Sequence, residues 1–280
     1  MSETVSIGEV PWTEDDLRAG LEEFARLYAE RPIKKNRGGM TSTHLFSIWF
    51  ALRAIKPRAI VESGVWKGQG TWLFETTCPD AQLYCIEPRP ERIIYRSEKA
   101  VYHEDDFSTH NWDFLPRDET VFFFDDHQNA YERLKTCLWF GFRQHIFFDD
   151  NYPPLRGDCY SLKKVLMNSG FGVREKSFGG VRLRARVEDR VTQAMVATGL
   201  KTRKIIRPNA VDSAYLRENL ALYYEFPPLF KRETTRWGDP WDAENYPTRE
   251  PLLRSAENDD QRRFLSEADH YTWLCYVKLR

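Results

Sequence analysis

Apolar positions between residues 58 and 151 come in short unbroken runs, and polar stretches separate them. The runs are "RAIVESG" (58–64), "AQLYCIEP" (81–88), "AVYHEDDF" (100–107), "ETVFFFDDH" (119–127) and "RQHIFFDDN" (143–151). Each is too short for a helix and rich in β-branched or aromatic residues, which predicts strands buried on both faces of a parallel sheet. Between and after them, "GTWLFETTC" (70–78), "QNAYERLKTCLWFG" (128–141) and "CYSLKKVLMNSG" (159–170) predict helices, and "RPERIIYRSEKA" (89–100) a helix or a turn. Such alternation predicts an α/β, doubly wound, mostly parallel sheet. "HYTWLCYVKLR" (270–280) predicts its last strand.

Two helices precede the sheet. Thr13 with Asp16 forms a start signal, and Leu17, Leu21, Phe24 and Leu27 follow at helical spacing. "ERPIKKNRGGM" (30–40) breaks that helix. A second helix starts near Thr41–Thr43, buries Phe46, Trp49 and Leu52, and ends at Lys56, because the residue before Pro57 is disfavoured in a helix. Residues 172–269 lose the pattern. There "VRLRARVEDRVTQAMVATGL" (181–200) looks helical, and 209–230 reads as a helix running into a strand or as a strand alone. Residues 231–253 read as a long aromatic loop with Trp237 and Trp241. The expected organisation is an N-terminal helical segment over 1–57 and one sheet domain over 58–280, with an insertion at about 172–269 before the last strand.

Composition changes this picture little. Of 280 residues, 41% are hydrophobic and 30% charged, as in an ordinary globular chain. No membrane-spanning run and no signal-peptide pattern is visible, and the five scattered cysteines include no C-x-x-C, so a cytoplasmic setting with reduced thiols is expected. The net charge of −1 implies no partner, but residues 174–207 hold ten Lys/Arg against three acids, a patch that attracts anions or is a solvated face.

The chemistry gathers at the strand ends, where ligands bind in an open α/β sheet. After the first strand come Glu62, Gly64, Gly68 and Gly70, a spacing that departs from the G-x-G-x-x-G dinucleotide fingerprint. Bare backbone there lets a ligand approach closely, although a structural turn explains it as well. Glu87 ends the second strand, placed to accept ribose hydroxyls. Asp106 and Phe107 follow the third, an acceptor for a base amino group beside a ring. Asp125 and Asp126 follow the fourth, Asp149 and Asp150 the fifth. Four converging carboxylates repel one another unless protonated or bound to a cation, most simply Mg²⁺; helix capping is the blander account.

Taken in order, "VESGVWKGQGT", "YCIEP", "EDDF", "FFFDDH" and "IFFDDN" resemble the motifs of class I S-adenosylmethionine-dependent methyltransferases. The nearer likeness is to the metal-dependent macrocin O-methyltransferase and cephalosporin hydroxylase-like group, and more distantly to catechol O-methyltransferase. It covers about residues 36–170. The resemblance implies a Rossmann-like seven-stranded sheet, with Glu62, Gly64 and Gly68 on the methionine side of the cofactor, Glu87 at its ribose, and Asp106 and Phe107 at its adenine. It implies a metal on Asp125, Asp149 and Asp150, with a second register, Asp126, Asp150 and Asn151, closer to the catechol enzymes. His127 is the expected general base, because the catechol enzymes' lysine is replaced by Gln128 or Asn129. A histidine near neutrality suits that task.

The function implied is Mg²⁺-assisted methylation of a hydroxyl on a small molecule: a sugar, a glycosylated natural product or a polyphenol, anionic ones included. A homo-oligomer is compatible with the resemblance. Two other readings stay open. Nucleic-acid methylation draws only on the basic 174–207 segment, and "DDHQ" lacks the Asn/Asp-Pro-Pro-aromatic motif of base methylation. A methyltransferase-like binding or assembly subunit without catalysis draws on the absent lysine.

Overall fold

The five apolar runs become five parallel strands: β1 (Ala59–Ser63), β2 (Gln82–Ile86), β3 (Ala100–His103), β4 (Thr120–Phe124) and β5 (Ile146–Asp149). The computed structural model describes residues 5–152, 158, 160–167, 210–234, 247–270 and 273–280. β6 (Leu220–Glu225) and β7 (Leu274–Leu279) complete a seven-stranded sheet of order β3-β2-β1-β4-β5-β7-β6. β7 runs antiparallel to both of its neighbours, β5 and β6. This is a Rossmann-like, doubly wound, mostly parallel sheet, as the alternation of strands and helices predicts.

Strand alternation accounts for the two core layers. All five residues of β4 are buried. Val121 and Phe123 point into one layer, beneath α2 (Ser42–Ile55) and α3 (Gln69–Thr77), and Phe122 and Phe124 into the other, beneath α4 (Ala130–Trp139) and α5 (Leu162–Leu166). Phe124 stacks on Phe148 of β5 at 4.9 Å between ring centroids, and Phe123 meets Phe74 of α3 edge-on at 5.4 Å. Each fully buried aromatic stabilises the fold by roughly 1.5–3 kcal/mol. A sheet sealed on both faces leaves only the strand ends open for chemistry.

The N-terminal helices form as their caps predict. Thr13 and Asp16 close a reciprocal capping box at the start of α1 (Glu14–Ala29), and Leu17, Leu21 and Phe24 are buried, with Leu27 half-buried. α2 begins after Thr41 and stops at Ile55, with Lys56 in a left-handed conformation before Pro57. Residues 89–100 take the turn rather than the helix, beyond a single 3₁₀ turn at Pro90–Arg92. The amides of Ile94 and Tyr95 both donate to the Lys67 carbonyl at 3.0 Å, which stitches this segment to the glycine loop instead of to itself. Over 209–230 a helix, Ala210–Asn219, runs into β6, so the irregular stretch 172–269 also carries an edge strand of the sheet. The basic segment 174–207 and both Trp237 and Trp241 lie outside the described residues.

β1 pairs with β2 on one side and β4 on the other, so the strand order reverses beside it. A crevice opens at the carboxyl ends there. Gly64 makes the crevice possible: its φ is 96°, and a Cβ would collide with the Asp125 carbonyl oxygen. Gly64→Ala is therefore expected to lower unfolding stability by roughly 3 kcal/mol, from left-handed strain plus overpacking. Urea denaturation followed by tryptophan fluorescence measures this, and an unchanged midpoint contradicts the account.

Candidate functional site

The glycine loop folds against the protein's own backbone. A Cβ on Gly64 would meet Asp125, one on Gly68 (φ 90°) the Tyr95 carbonyl, and one on Gly70 the Glu62 carboxylate. Three bare positions thus serve close chain approaches, and the direct physical need for each glycine is internal. Between them Trp66 holds a left-handed φ of 54°, a conformation costly for a bulky residue. Two bonds hold it there. Its amide donates to Glu87 Oε2 at 2.7 Å, and its indole Nε1 donates to the Arg37 carbonyl at 3.1 Å.

Glu87 ends β2 as expected and accepts a second backbone bond, from Arg89 at 3.1 Å. It lines a cavity of about 430 Å³ together with Gly64, Trp66, Asp106, Asp125 and His127. An ionised carboxylate has accepting capacity beyond these two bonds. Glu62 lies deeper, 1% exposed and outside the lining residues. Its Oε2 accepts from Thr71 Oγ1 at 2.5 Å and from Cys85 Sγ at 3.6 Å, while Oε1 is buried with no partner among the described residues. Burial pushes its pKa up to about 8, against the bonds from Thr71 and Cys85.

The acids on β3 and β4 are brought together by one residue of α4 that carried no signal in the sequence. Arg133 donates from Nη1 and Nη2 to the two oxygens of Asp106, at 2.8 and 2.5 Å, and from Nε to Asp126 Oδ2 at 3.0 Å. Its bonds, with those of Ser108, hold the Asp106 carboxyl well below the usual carboxylate range. Asp126 also accepts from Ser63 Oγ at 2.6 Å. Phe107 differs from expectation. Its ring is fully buried, stacked on Trp112 at 5.6 Å, so it does not offer a face to a ligand. The reason is its position in the core layer with Phe122 and Phe124.

Asp125, His127 and Asp149 form the one group of possible metal ligands among the described residues, each offering an atom within 4.8 Å of the others. Asp149 belongs to the β5 end and Asp125 follows β4, so two adjacent parallel strands deliver the two carboxylates side by side. His127 has a left-handed φ of 52°, strain of the kind that collects at functional sites. Its Nε2 lies 3.8 Å from Asp125 Oδ1, and its Nδ1 lies 3.2 Å from Asp158 Oδ2, a partner that nothing in the sequence announced.

Three expectations need correction. Asp150 does not join Asp125 and Asp149. It is 1% exposed, and its two oxygens accept from the Leu162 and Lys163 amides at 2.6 and 3.0 Å, at the start of α5. Unpaired amides at a helix start are strong partners for an acid. The residues of the second register are engaged elsewhere as well: Asp126 pairs with Arg133 and Ser63, and Asp150 caps its helix. Nor does His127 titrate near neutrality in this state. The Asp158 bond and the charges of Asp125 and Asp149 raise its pKa to about 10, against burial. Burial and Asp149 push the Asp125 carboxyl well above its ordinary value. Excess negative charge is thus shared by a held proton, the condition a bound cation also relieves.

No protein-family model matches the chain, and no curated protein matches it. Among solved structures it is similar to the CmcI-N160 apo-structure, at 17% identity and a TM-score of 0.35 over 52% of this chain and 69% of that one. It is also similar to the SAH-bound Podospora anserina methyltransferase PaMTH1 (14%, 0.39, over 70% and 91%). A third is the plantazolicin methyltransferase BpumL in complex with a pentazolic desmethylPZN analog and SAH (15%, 0.39, over 96% and 100%).

Glu62 supplies a test. A buried carboxyl with a folded pKa of about 8, against 4.5 in the unfolded chain, binds more protons when folded between those values. It therefore lowers stability as pH rises through that window. Glu62→Gln is expected to remove this loss: its stability relative to the wild type should increase from pH 5 to pH 8. Parallel urea midpoints across that range contradict it.

Proposed function

We propose that the chain is an S-adenosylmethionine-dependent O-methyltransferase that acts on a hydroxyl of a small molecule with the help of a divalent cation, Mg²⁺ in the first instance. The observation that carries this reading is the cavity at the strand-order reversal. It joins Glu87 and Asp106, acceptors suited to ribose and an exocyclic amine, to Asp125 and His127 across Gly64. Its volume of about 430 Å³ falls within the ~300–1,000 Å³ usual for small-molecule sites.

The donor set is compatible with a cation, since two carboxylates and an imidazole can converge on one point. Asp125 and Asp149 would hold it, with His127 Nε2 beside them to take the proton of the acceptor. Such an ion, when bound, lowers the pKa of an acceptor hydroxyl and fixes its direction. Mn²⁺ takes the same carboxylate ligands and belongs in the same titration.

The residues of the chain account for the remaining work. Glu87, held by two backbone amides, accepts from the ribose. Asp106 accepts from the base. Methyl transfer from a sulfonium needs the acceptor oxygen held in line, and the walls formed by Asp125 and His127 do the positioning. His127 is the proposed proton acceptor at Nε2, with Asp158 orienting it through Nδ1. For that it must first lose the proton that the carboxylates hold, which charge compensation beside Asp125 and Asp149 favours.

Calorimetric titration of the EDTA-treated protein with S-adenosylmethionine, then with Mg²⁺ or Mn²⁺ present, is the first test. Micromolar binding is expected, weakened roughly tenfold or more in Glu87→Ala by loss of charge-assisted bonds. No binding under any condition overturns the reading and favours an assembly subunit. Methyl transfer from labelled cofactor to catechols and glycosides should then depend on the divalent ion. Asp149→Asn is expected to raise the ion concentration required by at least about tenfold. Transfer to RNA or DNA without added metal would instead support the nucleic-acid reading.

A further inference from the structure

Arg133 links the cavity to two strand ends. It is 6% exposed, lines the cavity, and reaches acids that end two different strands. Its Nη1 and Nη2 take the Oδ1 and Oδ2 atoms of Asp106, its Nε takes Asp126, and its guanidinium carbon sits 5.6 Å over the Phe107 ring. Through Asp126 the chain of bonds continues to Ser63 of β1 at 2.6 Å. One side chain thus ties together the carboxyl ends of β1, β3 and β4.

The bonds on Asp106 are unequal. Oδ1 accepts from Arg133, from the Ser108 amide at 3.0 Å and from Ser108 Oγ at 2.6 Å. Among the described residues, Oδ2 accepts from Arg133 alone. The Asp106 side chain is 46% exposed, so this oxygen belongs to a carboxylate that a ligand can reach. A guanidinium fork fixes the plane of the carboxylate it grips, which a lysine cannot do.

We propose that Arg133 is a positioning residue for base recognition: it orients Asp106 so that Oδ2 accepts the exocyclic amine of adenine and rejects a base bearing an oxygen there. This rests on the cofactor reading above. An acceptor-only carboxylate gains a bond from an amino group and repels a carbonyl oxygen. Discrimination follows from orientation: without the fork, Ser108 holds Oδ1 alone, and Oδ2 can swing away from either base. Simple neutralisation of two acids by Arg133 would stabilise the fold without producing this preference.

The experiment compares S-adenosylhomocysteine with S-inosylhomocysteine by calorimetry. The wild type is expected to favour the adenine ligand by at least roughly tenfold. In Arg133→Gln the ratio should fall to about threefold or less, as expected for a bond formed only part of the time. Arg133→Lys keeps a charge without the fork and should also lose most of the ratio, which preserves the test if the glutamine variant unfolds. In an Asp106→Asn background, Arg133→Gln should alter the ratio no further, since it acts through that side chain. An undiminished ratio in both Arg133 variants overturns the proposal, even if their thermal midpoints fall. Equal binding of the two ligands by the wild type overturns it too, while leaving the cofactor reading intact. Binding of neither ligand by the wild type overturns both.

Discussion

The approach of two backbones at Gly64 is the constraint from which the site follows. β1 and β4 are neighbours in the sheet, and beyond their ends the chain must turn in opposite directions with almost no space between. The Asp125 amide donates to the Ser63 carbonyl at 2.8 Å, extending the ladder by one bond, and the Asp125 carbonyl then faces a glycine. Any side chain there would force the two ends apart. That contact sets where Asp125 and His127 stand relative to the glycine loop, and so which residues can face one cavity.

Around that point the chain must also reconcile an unusual density of acid at the strand ends. It does so in four different ways. Glu87 takes backbone amides, Asp106 and Asp126 share one guanidinium, and Asp150 takes the start of a helix. Asp125 and Asp149 converge with His127. The strained backbone of His127 and its bond to Asp158 belong to the same corner.

Much of the architecture was legible because its signals are local. A strand such as "TVFFF", buried on both faces, can only sit inside a covered sheet, and Thr13 with Asp16 can only begin a helix in one register. The acids at the strand ends were likewise visible, since a parallel sheet delivers all its carboxyl ends to one edge. Arg133 was not legible, because nothing in "AYERLKTCLW" distinguishes a residue that pairs with strand ends from one on a solvated helix face. Asp158 was hidden for the same reason, in a stretch of sequence without a pattern.

The sequence by itself therefore determined the alternation of strands and helices, the caps that start them, and the edge of the sheet where polar chemistry gathers. Periodicity and capping act over a few residues, and strand direction carries their consequences to that edge. Only the tertiary structure decided which member of each Asp-Asp pair converges with His127. Adjacent residues leaving a strand diverge, and distant partners select between them: Arg133 and Ser63 draw Asp126 aside, and the amides of Leu162 and Lys163 capture Asp150. Those partners lie 7 to 63 residues away along the chain, beyond the reach of any local pattern.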